Sequence, residues 1–315
     1  MISEQHVNTL RSGDVFRDWL VDVIGDRIQD KKCKVAVYKL SPASHTICRY
    51  DFQGENYGVV AKFYAEPTGW KRDYDPVRSM KKEFDLLKRV GHIIDVPRPL
   101  AIRKDFHCVL VTEYVRGKPL FSFMKTEKDL YDKLTAMAET LRKLHDSTKS
   151  HYRKQDEFGR FHKVLDQLKL DGSIRLEYNR LLGDWWYSTL IDQPYGCLIH
   201  NDPNPVNYVF GKDKVYLLDL ESSWNHANFI HDLGVIAAEL KHYFSIHKGD
   251  SRRAEPYIGH FLWNYSQSMD EFLRITKALP FFMSLGFLRM ARLDLDKQGS
   301  ASIFAEAIGC LKAKH

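Results

Sequence analysis

From His200 to Glu221 the chain reads HNDPNPVNYVFGKDKVYLLDLE. Two short apolar runs, 208–210 and 215–218, read as a small hairpin, and oxygen-bearing side chains crowd its outer ends. Asp202 and Asn207 stand five residues apart before it, and Asp219 and Glu221 follow it. A hard cation such as Mg2+ takes oxygen ligands, one or two from protein and the rest from phosphate and water. Asn207 and Asp219, at the two ends of the hairpin, are placed to share one such ion. Asp202, free of the metal, is placed to accept a proton from an attacking hydroxyl. Two carboxylates with different tasks are what phosphoryl transfer requires, because that chemistry rests on positioning and charge stabilisation.

The elements that must position these groups follow from periodicity. Apolar residues at Val15/Phe16, Trp19/Leu20 and Val23/Ile24 mark a helix over 14–25, with Asp14 as its cap. Strands are predicted over 33–39, 46–52 and 57–64, the last ended by Pro67 and Gly69. A helix over 77–90 turns Met80, Phe84 and Leu87 inward, and strands follow at 99–104 and 108–114. Gly117-Lys118-Pro119 then breaks the chain and the composition becomes helical. Helices are predicted over 128–146, 156–191, 230–244, 255–274 and 277–294, with the hairpin among them. A sheet-rich first part and a helical second part define an α+β chain, and a cleft between two such lobes is a favoured ligand site.

The motif resembles the catalytic core of the aminoglycoside phosphotransferase and choline kinase family, within the protein-kinase-like fold. That family carries H-G-D-x-x-x-x-N and then an apolar LID-x-E; here stand His200-Asn201-Asp202 to Asn207 and Leu217-Leu218-Asp219-Leu220-Glu221, with Asn201 where the family has glycine. The resemblance covers roughly residues 33–240. It implies a bilobal fold, with a small antiparallel-sheet N-lobe over 1–115 and a larger, mainly helical C-lobe over 116–315. It implies ATP, or GTP, with Mg2+. Lys62 corresponds to the lysine that holds the α- and β-phosphates, and Glu83, 21 residues on, to its glutamate partner. Glu113, Tyr114 and Val115 match the linker that receives the nucleotide base. LRKLHD at 141–146 resembles the end of the helix before the catalytic loop, and Asp232 the aspartate that buttresses it. The first hairpin turn, Ser41-Pro42-Ala43-Ser44-His45-Thr46, departs from the family: it lacks the glycines that close backbone amides over phosphates. Ser44 and Thr46 are the candidate substitutes.

His200 reads as a residue that holds the loop by hydrogen bonds, and His145 as a packing residue. Glu221 reads as a second metal or supporting carboxylate, or as an exposed one. Trp185, Trp186, Trp224 and Trp263 could line a pocket, but at least two of the four are expected in the core.

Only twelve residues, 220–231, separate Asp219 from Asp232, too few for the activation segment of a protein kinase. The acceptor is therefore expected to be a small hydroxylated molecule, a sugar or amino alcohol, met by Glu221, Trp224, Asn225 and the C-terminal helices. An atypical protein Ser/Thr kinase and a nucleotide-binding pseudokinase are the alternatives. Residues 221–315 hold ten Asp/Glu against eleven Lys/Arg, whereas a site for polycationic aminoglycosides should be acidic. A neutral or anionic sugar-like alcohol fits better.

The formal net charge of +6 comes with basic pairs at Lys71-Arg72, Lys81-Lys82 and Arg252-Arg253, but with no helix of interleaved basic and aromatic residues for nucleic acid. No apolar run approaches a membrane span. The first residues lack the pattern of a secretion signal, and five scattered cysteines without CxxC suit a reducing cytoplasm.

Overall fold

The computed structural model describes residues 3–41, 43–67, 74–293 and 297–313. In chain order it forms β1 (Ser3–Leu10), α1 (Val15–Ile24), β2 (Val35–Ser41), β3 (His45–Phe52), β4 (Tyr57–Pro67), α2 (Pro76–Val90), β5 (Pro99–Arg103), β6 (Val109–Glu113) and β7 (Lys118–Pro119). Next come α3 (Leu120–Thr126), α4 (Leu130–Ser147), α5 (Lys154–Leu168), α6 (Gly172–Trp186), β8 (Cys197–Ile199), β9 (Tyr208–Phe210), β10 (Val215–Leu217) and β11 (Trp224–Ala227). The chain continues through α7 (Ile230–Lys248), α8 (Glu255–Tyr265), α9 (Met269–Leu293) and α10 (Lys297–Lys312). These elements gather into two units. One is Met1–Phe121 with Val209–Glu221, the other Ser122–Tyr208 with Ser222–His315.

The first unit is an antiparallel sheet in the order β1-β2-β3-β4-β6-β5. Asp14 starts α1 by accepting a hydrogen bond from the Arg17 amide, and Asp75 starts α2 in the same way from Arg78. Leu20 and Ile24 of α1 pack with Val35, Val37, Tyr50, Val59 and Val111 of the sheet. Arg17 is buried with them, its two terminal nitrogens donating to the carbonyls of Lys31 and Cys33 and to Asp18. Lys62 lies mid-sheet on β4, opposite Ile47 of β3 and Leu110 of β6, so its backbone is fixed on both sides.

In the second unit α7 and α9 approach so closely that a Cβ on Gly234 would stand 2.4 Å from the Phe282 Cβ. Glycine is the residue that this approach permits. The helices expected over 255–274 and 277–294 are α8 and α9, but the break between them falls at 266–268 rather than 275–276. Ser266 takes an extended backbone, and the Ser268 hydroxyl accepts from the Glu271 amide in the first turn of α9, which then runs unbroken through Pro280. Proline deletes one hydrogen bond to the preceding turn, but Phe281 and Phe282 are fully buried beside it and hold the segment helical.

Other expectations need correction. The predicted helix over 156–191 is two, α5 and α6, because Lys169 takes a left-handed backbone (φ 48) and a turn follows before Gly172. β1 was not foreseen: SEQHVNTL is mostly exposed and carries no alternating apolar signal, and its backbone is recruited by β2 through pairs from Ser3↔Ser41 to Leu10↔Val35. Gly69 and the Lys71-Arg72 pair lie outside the described residues. No helix among the described residues is long and apolar enough to cross a membrane.

Candidate active site

In the first unit, the sheet and α2 bring the predicted lysine and its acids together. Lys62 Nζ lies 2.9 Å from Glu83 Oε2, 2.7 Å from Asp219 Oδ1 and 3.1 Å from Glu221 Oε2. Burial alone would push the ammonium toward its neutral form. Glu83 and Asp219, with Tyr64 and Glu221 behind them, more than reverse this and hold it charged well above its ordinary range. Tyr64 donates its hydroxyl to Glu83, which fixes the carboxylate on α2. Glu221 is therefore no loose surface group: its side chain is 16% exposed and is bound from two sides.

The second partner of Glu221 is His45, which sequence reasoning passed over. Its Nε2 lies 2.8 Å from Glu221 Oε2, and its ring lies over Tyr64 at 4.9 Å. His45 opens β3 and is buried, whereas Ser44 beside it is exposed and Thr46 is half-buried. The glycine-poor turn is thus anchored by an imidazole rather than left free. Lys82 adds a further tie, donating to the Glu221 carbonyl at 3.0 Å.

At the end of β6, the Glu113 carboxylate accepts from Tyr57 Oη at 2.8 Å and pairs with Arg98. The Tyr114 amide donates to the Gly58 carbonyl, and the Arg49 guanidinium stands 4.9 Å over the Tyr114 ring. Val115 follows, half-buried.

In the second unit, Asp232 on α7 organises the loop after β8. Its carboxylate accepts from the amides of His200 (2.7 Å) and Asn201 (2.9 Å) and lies 3.2 Å from His145 Nε2. Burial alone would raise its carboxyl; the hydrogen bond and charge of His145, with His200 and His231 nearby, hold it below the ordinary carboxylate range. His145, expected only to pack, is thus a polar link, and its Nδ1 meets Tyr265 Oη at 2.8 Å. His200 Nδ1 accepts the Asp202 amide at 3.2 Å, and Asn207 Nδ2 donates to the Asp202 carbonyl at 3.0 Å. This keeps the Asn207 Oδ1 as the remaining acceptor. Asn201 explains the departure from the family glycine: its φ is 66°, a left-handed conformation that asparagine tolerates better than other non-glycine residues.

Arg289, on the last turns of α9, also escaped the sequence reading. It donates to the Asn201 carbonyl and, at 3.1 Å, to Asp202 Oδ1. Trp224 on β11 pairs with Ile199 of β8, is half-buried and lies 3.6 Å beneath the Arg160 guanidinium; Asn225 is exposed. Of the four tryptophans only Trp185 is fully buried, and Trp186 and Trp263 are exposed. Neighbours on a helix point about 100° apart, so Trp185 and Trp186 cannot share one face.

Glu239 on α7 is pushed up to about 7, first by burial and then by the charge of Asp202, against the pull of Arg289. The folded chain therefore keeps a proton that the unfolded chain releases above about pH 4.5, its ordinary value. This contribution to stability is full below that pH and is lost as pH rises through 7. Glu239→Gln should be more stable than the parent at pH 8, by up to about 3 kcal/mol, and no more stable at pH 4.5. Urea midpoints at the two pH values measure it; parallel pH dependence of both proteins would contradict the assignment.

Residues 49–269, more than half of the chain, match the model of the phosphotransferase enzyme family. The chain belongs to that family: it is a kinase-like phosphotransferase with an alcohol group as acceptor. No curated protein sequence matches it. Among solved structures it is similar to choline kinase LicA from Streptococcus pneumoniae, with 16% identity, 98% of this chain and 94% of that one covered, and a TM-score of 0.56. It is similar to the choline kinase of Cryptosporidium parvum (15% identity, 88% and 89% covered, TM-score 0.61). It is also similar to APH(2")-IIa in its complex with streptomycin and ATP (15% identity, 95% and 97% covered, TM-score 0.59). At these identities the likeness establishes the protein-kinase-like fold.

Proposed function

We propose that the chain transfers the γ-phosphoryl group of ATP to a hydroxyl of a small molecule, with Mg2+. The observation that carries this reading is the buried Lys62 ammonium bound by Glu83, Asp219 and Glu221. A buried ionic cluster is a poor device for stability alone, since desolvation offsets much of its attraction. It is a good device for holding a cation ready for phosphates. Oxygens of Glu83, Asp219 and Glu221 lie within 4.8 Å of one another around that ammonium, and Asp219 brings a hard oxygen donor of the kind Mg2+ takes.

In this reading Asn207 and Asp219 hold Mg2+, which when bound offsets the charge of the phosphate oxygens. Lys62 binds the α- and β-phosphates and Glu83 fixes its position. Ser44, Thr46 and the backbone of their turn face the phosphates, and Glu113, Tyr114 and Val115 receive the base. Nucleotide binding then falls to residues 1–115 and the acceptor to 116–315. As the acceptor oxygen bonds to the γ-phosphorus, its proton passes to Asp202, the bond from phosphorus to the β–γ bridging oxygen breaks, and ADP leaves.

Choline kinases and an aminoglycoside phosphotransferase of the same fold support a small acceptor. The segment after Asp219 supports it independently. It passes through a short turn and β11 straight into α7, with no stretch for a peptide platform. The test is ADP release over a panel of hydroxylated metabolites, with ATP or GTP and with Mg2+ titrated. Mg2+-dependent, acceptor-dependent release is expected, and Asp219→Ala should reduce it to background while ATP still binds. Turnover indifferent to Mg2+, or phosphorylation of protein alone, would overturn the reading.

A further inference from the structure

One guanidinium, Arg289, sits on the loop that carries Asp202, and a second, Arg160, has no ion pair among the described residues. Arg289 spans the Asn201 carbonyl and Asp202 Oδ1, with its side chain only 17% exposed. Arg160 on α5 is half-buried and stacked on Trp224, yet makes no ion pair among the described residues. Two acids lie one turn away, and both attract Arg160 without pairing with it: Glu157 is bound by His231 Nδ1 at 2.9 Å and by the Asn228 amide at 2.7 Å, and Asp156 lies 3.8 Å from Arg153. Arg292 donates to the amide oxygen of Gln167 at 2.7 Å, not to a carboxylate. Burial pushes Arg160 below the ordinary arginine range and the charge of Arg289 pushes it further, against the pull of Glu157 and Asp156.

A half-buried guanidinium without a carboxylate is costly to keep, and it is the group best shaped to take a carboxylate or phosphate through two parallel hydrogen bonds. Trp224 fixes the plane of Arg160, so little side-chain freedom remains to be lost on binding. Trp224 pairs with Ile199, three residues before Asp202, so the strand that carries the Arg160 contact runs into the loop that holds Asp202 and Arg289.

We propose that the acceptor carries a carboxylate or phosphate of its own, besides the hydroxyl that is phosphorylated, and that Arg160 and Arg289 bind it beside Asp202. This rests on the reading of Asp202 given above and narrows its acceptor to anionic alcohols.

The probes are gluconate, glucose 6-phosphate and neutral sorbitol. Each is titrated calorimetrically into the full chain preloaded with ADP and Mg2+, which occupies the nucleotide site. At least one anion should bind and sorbitol should not; which anion binds tells carboxylate from phosphate. Arg160→Gln should weaken that anion by about tenfold or more, the scale of a lost charge-assisted contact. Arg160→Lys should restore part of the affinity, which separates a lost ligand contact from a damaged fold. Binding of neither anion, equal binding of sorbitol, or unchanged affinity in Arg160→Gln would overturn the proposal. Turnover with Mg2+-ATP tells the two readings apart. Phosphorylation of neutral or cationic alcohols alone keeps the kinase and overturns the anionic acceptor. Arg160-dependent anion binding without transfer to any alcohol keeps the anion site and overturns the kinase.

Discussion

Asp202→Asn should lower turnover by ~10²-fold or more while nucleotide affinity stays nearly intact, the usual scale for loss of a general base. The change is nearly isosteric, so the loop should keep its form. Its hold comes from other atoms: Asp232 takes the amides of His200 and Asn201, His200 takes the Asp202 amide, and Asn207 binds the Asp202 carbonyl. Only the side-chain charge and its basic oxygen are lost. The Arg289 contact to Oδ1 can persist on the asparagine oxygen, without the ionic part. Steady-state kinetics with separate ATP and acceptor titrations measure the effect. Near-normal turnover would remove Asp202 from the reaction.

Lys62→Met should be worse still, because it removes the proposed phosphate contact and unbalances the cluster behind it. Loss of a preorganised positive contact to a transferring phosphate costs ~10²–10³-fold in turnover. Three carboxylates, Glu83, Asp219 and Glu221, would then face one another within 4.8 Å without their ammonium. Breaking a buried ion pair from one side destabilises by roughly 3–5 kcal/mol, and the exposure of Asp219, 34%, places the effect at the lower end. Divalent cations should recover part of the melting temperature in this variant, because the freed oxygens suit a hard ion. Lys62→Arg should not rescue activity, since a planar fork cannot occupy the place of a point ammonium between three acids. Thermal melts with and without Mg2+ or Mn2+, beside kinetics, decide this. A variant with parental melting temperature and turnover would show that Lys62 neither binds phosphate nor holds the three acids together.

The sequence alone was enough for the hairpin and the acids around it, because strand alternation and the spacing of polar residues are local. Lys62 and Glu83 were picked out by the family resemblance, from their order on a strand and the helix that follows it; their ion pair is what the tertiary structure adds. The family glycine replaced by Asn201 was visible as a letter; only the backbone, at φ 66°, shows that the replacement keeps the left-handed turn. His45 and Arg289 were not legible. His45 meets Glu221 across 176 residues, and Arg289 meets Asp202 across 87. No local period records such a contact, and a histidine in a turn or an arginine near a helix end has many ordinary uses. The pairing of β1 was decided by tertiary structure for the opposite reason: SEQHVNTL carries no local strand signal, and the backbone of β2 recruits it. The imbalance of charge around Arg160 belongs to the same class, since counting ten acids against eleven bases over 221–315 could not tell which of them are already paired.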